Sequence, residues 1–183
     1  KSIGLNPAMG LVFPIAAQAI GVISSIAGVF AVKAKEGEMD ALKPINKGFM
    51  VASVITLAGT LAVALKYIGN AKGIEGKGVQ LMSGAGWRVF GAIAIGLVLA
   101  QLISRLTEYY TSTHFRPVQE IAESTETGPA TAVLSGTAFG LESSVYAVIA
   151  IAIAIGVALA LGGGNLTFSL YLVALTGIGM LST

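Results

Sequence analysis

Charged side chains fall in patches along this chain, with long apolar runs between them. No charge occurs at residues 2–32, 48–65, 89–104 or 143–183. The patches run from Lys33 to Lys47, from Lys66 to Arg88 and from Arg105 to Glu142. A bilayer core about 30 Å thick needs roughly 20 mostly apolar residues per helix. The pattern therefore predicts spans near 10–32, 48–68, 88–110 and 143–161, and a fifth, cut short, near 167–183. The uncharged stretch 143–183 is too long for one helix, and Gly162, Gly163, Gly164 and Asn165 offer the turn that divides it. Residues 130–141 extend the fourth span at an interface. Barrel strands would alternate over about ten residues. These runs are continuous, so helices must satisfy their backbone groups. The expected fold is all-α: a polytopic transmembrane helix bundle of about five spans, with residues 1–183 forming one region.

Small residues recur at four-residue spacing, as Ala17, Gly21 and Ser25, as Ala92, Gly96 and Ala100, and as Gly156 and Ala160. Such rows let helix backbones approach closely, and Pro14 is placed to kink the first span. Composition agrees with this picture. The chain is 55% hydrophobic and 11% charged, against about 25% charged in a soluble domain. An ordinary soluble enzyme and a disordered chain are both ruled out. A net charge of +2 gives no footprint for nucleic acid. With no cysteine, disulfides, zinc-thiolate sites and iron–sulfur sites are excluded. The chain opens on Lys1 and stops at Thr183 inside an uncharged run, which leads to the expectation of an internal piece of a longer membrane protein. Loop charge barely orients it. Six Lys or Arg lie in 33–47 and 105–142, and five on the other side.

The spans carry no ionisable residue at their midpoints. Arg88, Arg105, Glu108, Lys66 and Glu142 all sit near span ends. Intramembrane charges usually mark ion paths, so this stretch holds no evident ion carrier and does not suit a rotary-ATPase ring subunit. Gly162 to Gly164 lack the Lys and Ser or Thr that a phosphate loop requires. His114 is the single histidine and has no partner set for a metal. Glu120, Glu123 and Glu126 are of a type that binds magnesium, but their spacing along an exposed turn suits solvation better. No catalytic, cofactor-binding or metal residue is assigned. The most unusual segment is Thr107 to Ser144. Tyr109 and Tyr110 leave a span at interface depth, Pro117 is placed to start a short helix bearing Glu120 and Glu123, and Gly128 with Pro129 ends it. It reads as an amphipathic connector, or as a loop that couples to a site elsewhere. A piece of a secondary transporter or permease and a non-catalytic packing subunit also fit the residues.

In that segment the chain resembles the membrane-integral pyrophosphatases, the pyrophosphate-energised proton or sodium pumps. The residues that carry the resemblance are Thr107-Glu108-Tyr109-Tyr110-Thr111-Ser112, Arg116-Pro117-Val118-Gln119, Thr127-Gly128-Pro129-Ala130-Thr131 and Gly140-Leu141-Glu142-Ser143. Supporting matches are Ile45-Asn46-Lys47-Gly48, Gly86-Trp87-Arg88 and Gly179-Met180-Leu181-Ser182-Thr183. The resemblance implies a multi-pass protein of about sixteen helices acting as a homodimer, in a prokaryotic cell membrane. Six inner helices would hold a magnesium-dependent pyrophosphate site at the cytosolic face, and hydrolysis would drive an ion through a gate below it. This chain would be an internal fragment, inactive alone, with most of its helices in the outer ring and the start of an inner helix from about Thr167. Loops 33–47 and 111–142 would be cytosolic. The magnesium-binding aspartates, ion selectivity and any potassium dependence would belong to residues outside 1–183.

Overall fold

A computed structural model describes residues 7–32, 42–68 and 85–182. Most of the charged segment 33–47, the residues Lys72, Glu75 and Lys77, and both chain ends lie outside the described residues. The described chain is helical almost throughout. Helix α1 is Pro7–Ala31. Helix α2 is Leu42–Val63, and a π-helical turn, Ala64–Ile68, closes it. Helix α3 is Ala85–Thr111, α4 is Arg116–Ser124, α5 is Pro129–Leu161 and α6 is Leu166–Leu181. Among these, α1, α2, α3 and α5 are long and apolar enough to cross a membrane. At 16 residues, α6 reaches roughly 24 Å, short of a full crossing.

The chain divides into two compact units, Lys1–Val98 with Ile155–Thr183, and Leu99–Ala154. In the first unit, α1 and α2 pack antiparallel: Gly28 faces Gly48, and Ile20 faces Gly59. A Cβ on Gly28 would lie 2.9 Å from the Gly48 carbonyl oxygen, and one on Gly48 would lie 2.9 Å from the Gly28 oxygen. These two backbones touch, and only glycine allows it at both positions. Helix α6 runs parallel to α1, with Gly21 against Ser182 and the Tyr171 hydroxyl on the Gly10 carbonyl. It also crosses α3 backbone to backbone, where Gly96 meets Thr176 and Gly179 meets Ile93. The buried face of α6 is Phe168, Leu172, Leu175, Thr176 and Gly179, a helical repeat. With Phe13, Ala17, Ala64, Val89, Ala92, Ile93 and Leu97, its apolar members form the core of this unit.

Two of the small-residue rows lie at these contacts. Ala17, Gly21, Ala92 and Gly96 are buried or in backbone contact with α6. The row Gly156 and Ala160 differs, because both residues are exposed and nothing lies within 4 Å of a Cβ built on Gly156. Most buried hydroxyls are satisfied inside their own helices, while that of Ser169 on α6 donates to the Leu159 carbonyl of α5 at 3.3 Å. Ser24 donates to the Ile20 carbonyl, Thr56 to Ala52, Thr60 to Thr56 and Thr176 to Leu172, at 2.7–2.9 Å. This lets polar side chains sit in an apolar interior without orphaned donors.

Candidate functional site

The segment that carries the strongest sequence signal falls wholly in the second unit. It starts at the end of α3, where two threonines bond back along the helix. Thr107 donates to the Ile103 carbonyl at 2.9 Å and Thr111 to that of Thr107 at 2.7 Å. The helix stops at a tight turn around Ser112, which is buried. The His114 amide donates to the Ser112 Oγ at 3.4 Å and the Phe115 amide to the Ser112 carbonyl at 3.2 Å. Pro117 stands in the first turn of α4 and needs no donor there. Gln119 Nε2 reaches back to the Thr113 carbonyl at 3.5 Å.

Aromatic rings brace this corner. Tyr109 packs edge-on against Tyr110 at 5.2 Å and tilted against Phe115 at 5.3 Å. Tyr110 also stacks on Tyr146 of α5 at 6.4 Å and hydrogen-bonds Glu142. The carboxylates have local partners. Arg116 Nε lies 2.9 Å from Glu120 Oε1 on exposed helix surface, and Arg105 Nη1 lies 3.7 Å from Oε2 of the half-buried Glu108. Such pairs contribute about 0–1 kcal/mol each.

Beyond α4, hydroxyls and one glycine build a second corner. A single 3₁₀ turn, Thr125–Thr127, ends at Gly128, whose φ of 134° lies in the region that favours glycine. Pro129 then opens α5. Thr131 Oγ1 bonds the Ser124 carbonyl at 2.8 Å and the Gly128 carbonyl at 2.7 Å, and lies 2.7 Å from Thr127 Oγ1. Thr127 Oγ1 also donates to the Ser124 carbonyl at 2.8 Å. The run Thr-Gly-Pro-Ala-Thr at 127–131 is thus a clasp: glycine supplies the backbone angle, proline the helix start, and the two threonines tie the ends.

The glycine turn between the last two helices has its own anchor. Gly163 and Gly164 take φ of 61° and 87°. Asn165 caps α6, its Oδ1 accepting from the Phe168 amide at 3.4 Å. Arg88, at the start of α3, lies against Gly163 and donates from Nη1 to the Leu161 carbonyl at 3.1 Å. A cation is thereby placed at the negative end of α5. This is a helix-to-helix turn with a cationic cap.

Magnesium needs several oxygen ligands converging on one point. Among the described residues, no three acidic or histidine side chains gather in that way. Glu120 is engaged by Arg116 and Glu142 by Tyr110. The described residues therefore do not fit a magnesium–phosphate site. His114 is exposed on the turn after α3. The clasp at 127–131 and the bond from Arg88 to Leu161 are what the structure adds to the sequence reading.

Helices of this length and apolarity define a stretch of a multi-pass integral membrane protein. The chain belongs to the inorganic H+ pyrophosphatase family, which it matches over residues 2–183. It is 39% identical over 179 residues to the K(+)-insensitive pyrophosphate-energized proton pump of Streptomyces coelicolor, covering 95% of this chain and 22% of that pump. It is 34% identical over 177 residues to the putative K(+)-stimulated pyrophosphate-energized sodium pump of Clostridium tetani, covering 95% of this chain and 24% of that protein. Pyrophosphate-energized proton pump 2 of Mycoplana dimorpha is 35% identical over 149 residues, 79% of this chain and 67% of that sequence. The chain spans about a quarter or less of the length of most of the relatives it matches.

Proposed function

We propose that residues 1–183 are an internal stretch of a membrane pyrophosphatase that couples pyrophosphate hydrolysis to the pumping of protons or sodium ions. The observation that carries this reading is the ordered segment 107–143, set within a family match that runs the length of the chain. Hydrolysis would take place on magnesium pyrophosphate, at carboxylates contributed from outside this stretch, in a protein acting as a homodimer. The stretch itself serves as scaffold. Helices α1, α2, α3 and α5 take outer positions, while α6 begins an inner helix, with segments 33–47 and 111–142 at the cytosolic face. The central position of α6 between α1 and α3 supports that order, as does the lack of charge within the apolar runs.

The test is made on the full-length protein in sealed membrane vesicles. Pyrophosphate with magnesium is expected to release phosphate and to drive either acidification of the lumen or uptake of sodium. Vesicles that carry the protein but show neither magnesium-dependent hydrolysis nor pyrophosphate-driven uptake would favour a permease or a packing subunit.

A further inference from the structure

Pro14 lies inside α1, and the helix continues on both sides of it. Proline has no amide hydrogen, so the carbonyl four residues earlier loses its ordinary helical donor. That carbonyl belongs to Gly10. Gly10 opens the apolar span Gly10–Ala31, and at its edge a backbone carbonyl without a donor is costly to the extent that water is kept from it. The Tyr171 hydroxyl of α6 donates to this same oxygen at 3.0 Å, across 161 residues of sequence.

We propose that Tyr171 is a latch for the proline site of α1. Its hydroxyl takes the place of the amide hydrogen that Pro14 lacks and fastens the first turns of α1 to those of α6. One feature favours this pairing over a chance contact. Phe168, one turn earlier on α6, stacks near Tyr171 at 6.5 Å and is itself buried, so the ring is held in place. At the other end of the same helix pair, Gly21 meets Ser182, so α1 and α6 are joined at two separated points, and the latch is the polar one.

The proposal predicts a dependence between two residues far apart in sequence. Tyr171→Phe, Pro14→Ala and the double variant are made in the full-length protein, and thermal unfolding is followed in detergent. Tyr171→Phe keeps the ring and removes only the hydroxyl. It is expected to lower the unfolding midpoint clearly when residue 14 is proline. With alanine at 14, α1 supplies its own donor, and the same change is expected to cost less than half as much. If Tyr171→Phe abolishes folding with Pro14 but the double variant folds, the latch is supported in its strongest form. Equal losses in both backgrounds, no loss with Pro14, or failure to fold in both would overturn it. The readout is unfolding rather than turnover, so the result stands whether or not the protein hydrolyses pyrophosphate.

Discussion

Gly96 offers the sharpest test of how the first unit is packed. It sits where α3 crosses α6, and the atoms facing it are backbone, which cannot rotate aside. A Cβ at Gly96 would meet the Thr176 carbonyl oxygen, and would lie 2.8 Å from the Met180 amide nitrogen and 3.0 Å from the Thr176 carbonyl carbon. Gly96→Ala must therefore push the two helices apart. Overpacking of this kind costs about 1–3 kcal/mol. Alanine also favours a helix over glycine by about 0.8–1.0 kcal/mol, so the raw change in stability understates the clash. Gly177→Ala supplies the correction. Gly177 lies on α6, and a Cβ there meets nothing within 4 Å. The helix-propensity gain is common to both variants, so their difference isolates the contact, with an expected value of about 1–3 kcal/mol. Thermal unfolding of the solubilised full-length protein, read as loss of the monodisperse species, measures both. If Gly96→Ala proves as stable as Gly177→Ala, the backbone contact between α3 and α6 is wrong.

Other outcomes follow from single contacts. Arg88→Met removes the donor to the Leu161 carbonyl, and should cost about 1.5–3 kcal/mol, the range for bonds to charged groups; an unchanged unfolding midpoint would count against the cap. Gly128→Ala forces an L side chain into φ of 134°, with an expected loss of about 1–3 kcal/mol, visible in the same assay and absent for Gly136→Ala in α5, where a Cβ meets nothing within 4 Å. A cysteine placed by Ser124→Cys should react with impermeant maleimide only from the cytosolic side of the membrane, and labelling of intact cells from outside would reverse the proposed orientation.

The fold was legible where a physical period governs it. Charge-free runs marked α1, α2 and α3, because a charge is expensive in lipid and the pattern is set by that cost. The turn at 162–165 was legible from its glycines, two of which take positive φ. Pro117 did mark the start of α4, and Gly128 did follow its end. The extent of α5 was harder to read. Residues 130–141 read as an extension of the fourth span and are helical, but the charge and polarity of the wider stretch 111–142 suggest a loop, whereas α5 runs unbroken through Glu142 for 33 residues. A helix of that length spans about 50 Å, well beyond a hydrocarbon core of about 30 Å. One end can therefore stand in water, where Glu142 costs little. The bonds from Arg88 to Leu161 and from Tyr171 to Gly10 join residues 73 and 161 apart, and no local pattern announces them.

Apolar burial cannot be what orders these helices, since lipid tails are as apolar as leucine and solvate the same surface. What remains is close backbone contact and the satisfaction of polar groups, and both are unevenly distributed. The first unit has them in pairs: Gly28 with Gly48, Gly96 with Thr176, Gly179 with Ile93, Tyr171 with Gly10, and Arg88 with Leu161. Helix α5 is the contrast. Its most apolar stretch is 11% buried, against 28–39% for α1, α2 and α3, and Cβ atoms on Gly136, Gly140 and Gly156 would meet nothing within 4 Å. By the same physics, α5 is held at separate points: Tyr110 of α3 stacks on its Tyr146 at 6.4 Å, and Ser169 of α6 donates to its Leu159 carbonyl at 3.3 Å. Its two ends are tied as well, by the threonine clasp at 127–131 and by the bond from Arg88 to the Leu161 carbonyl.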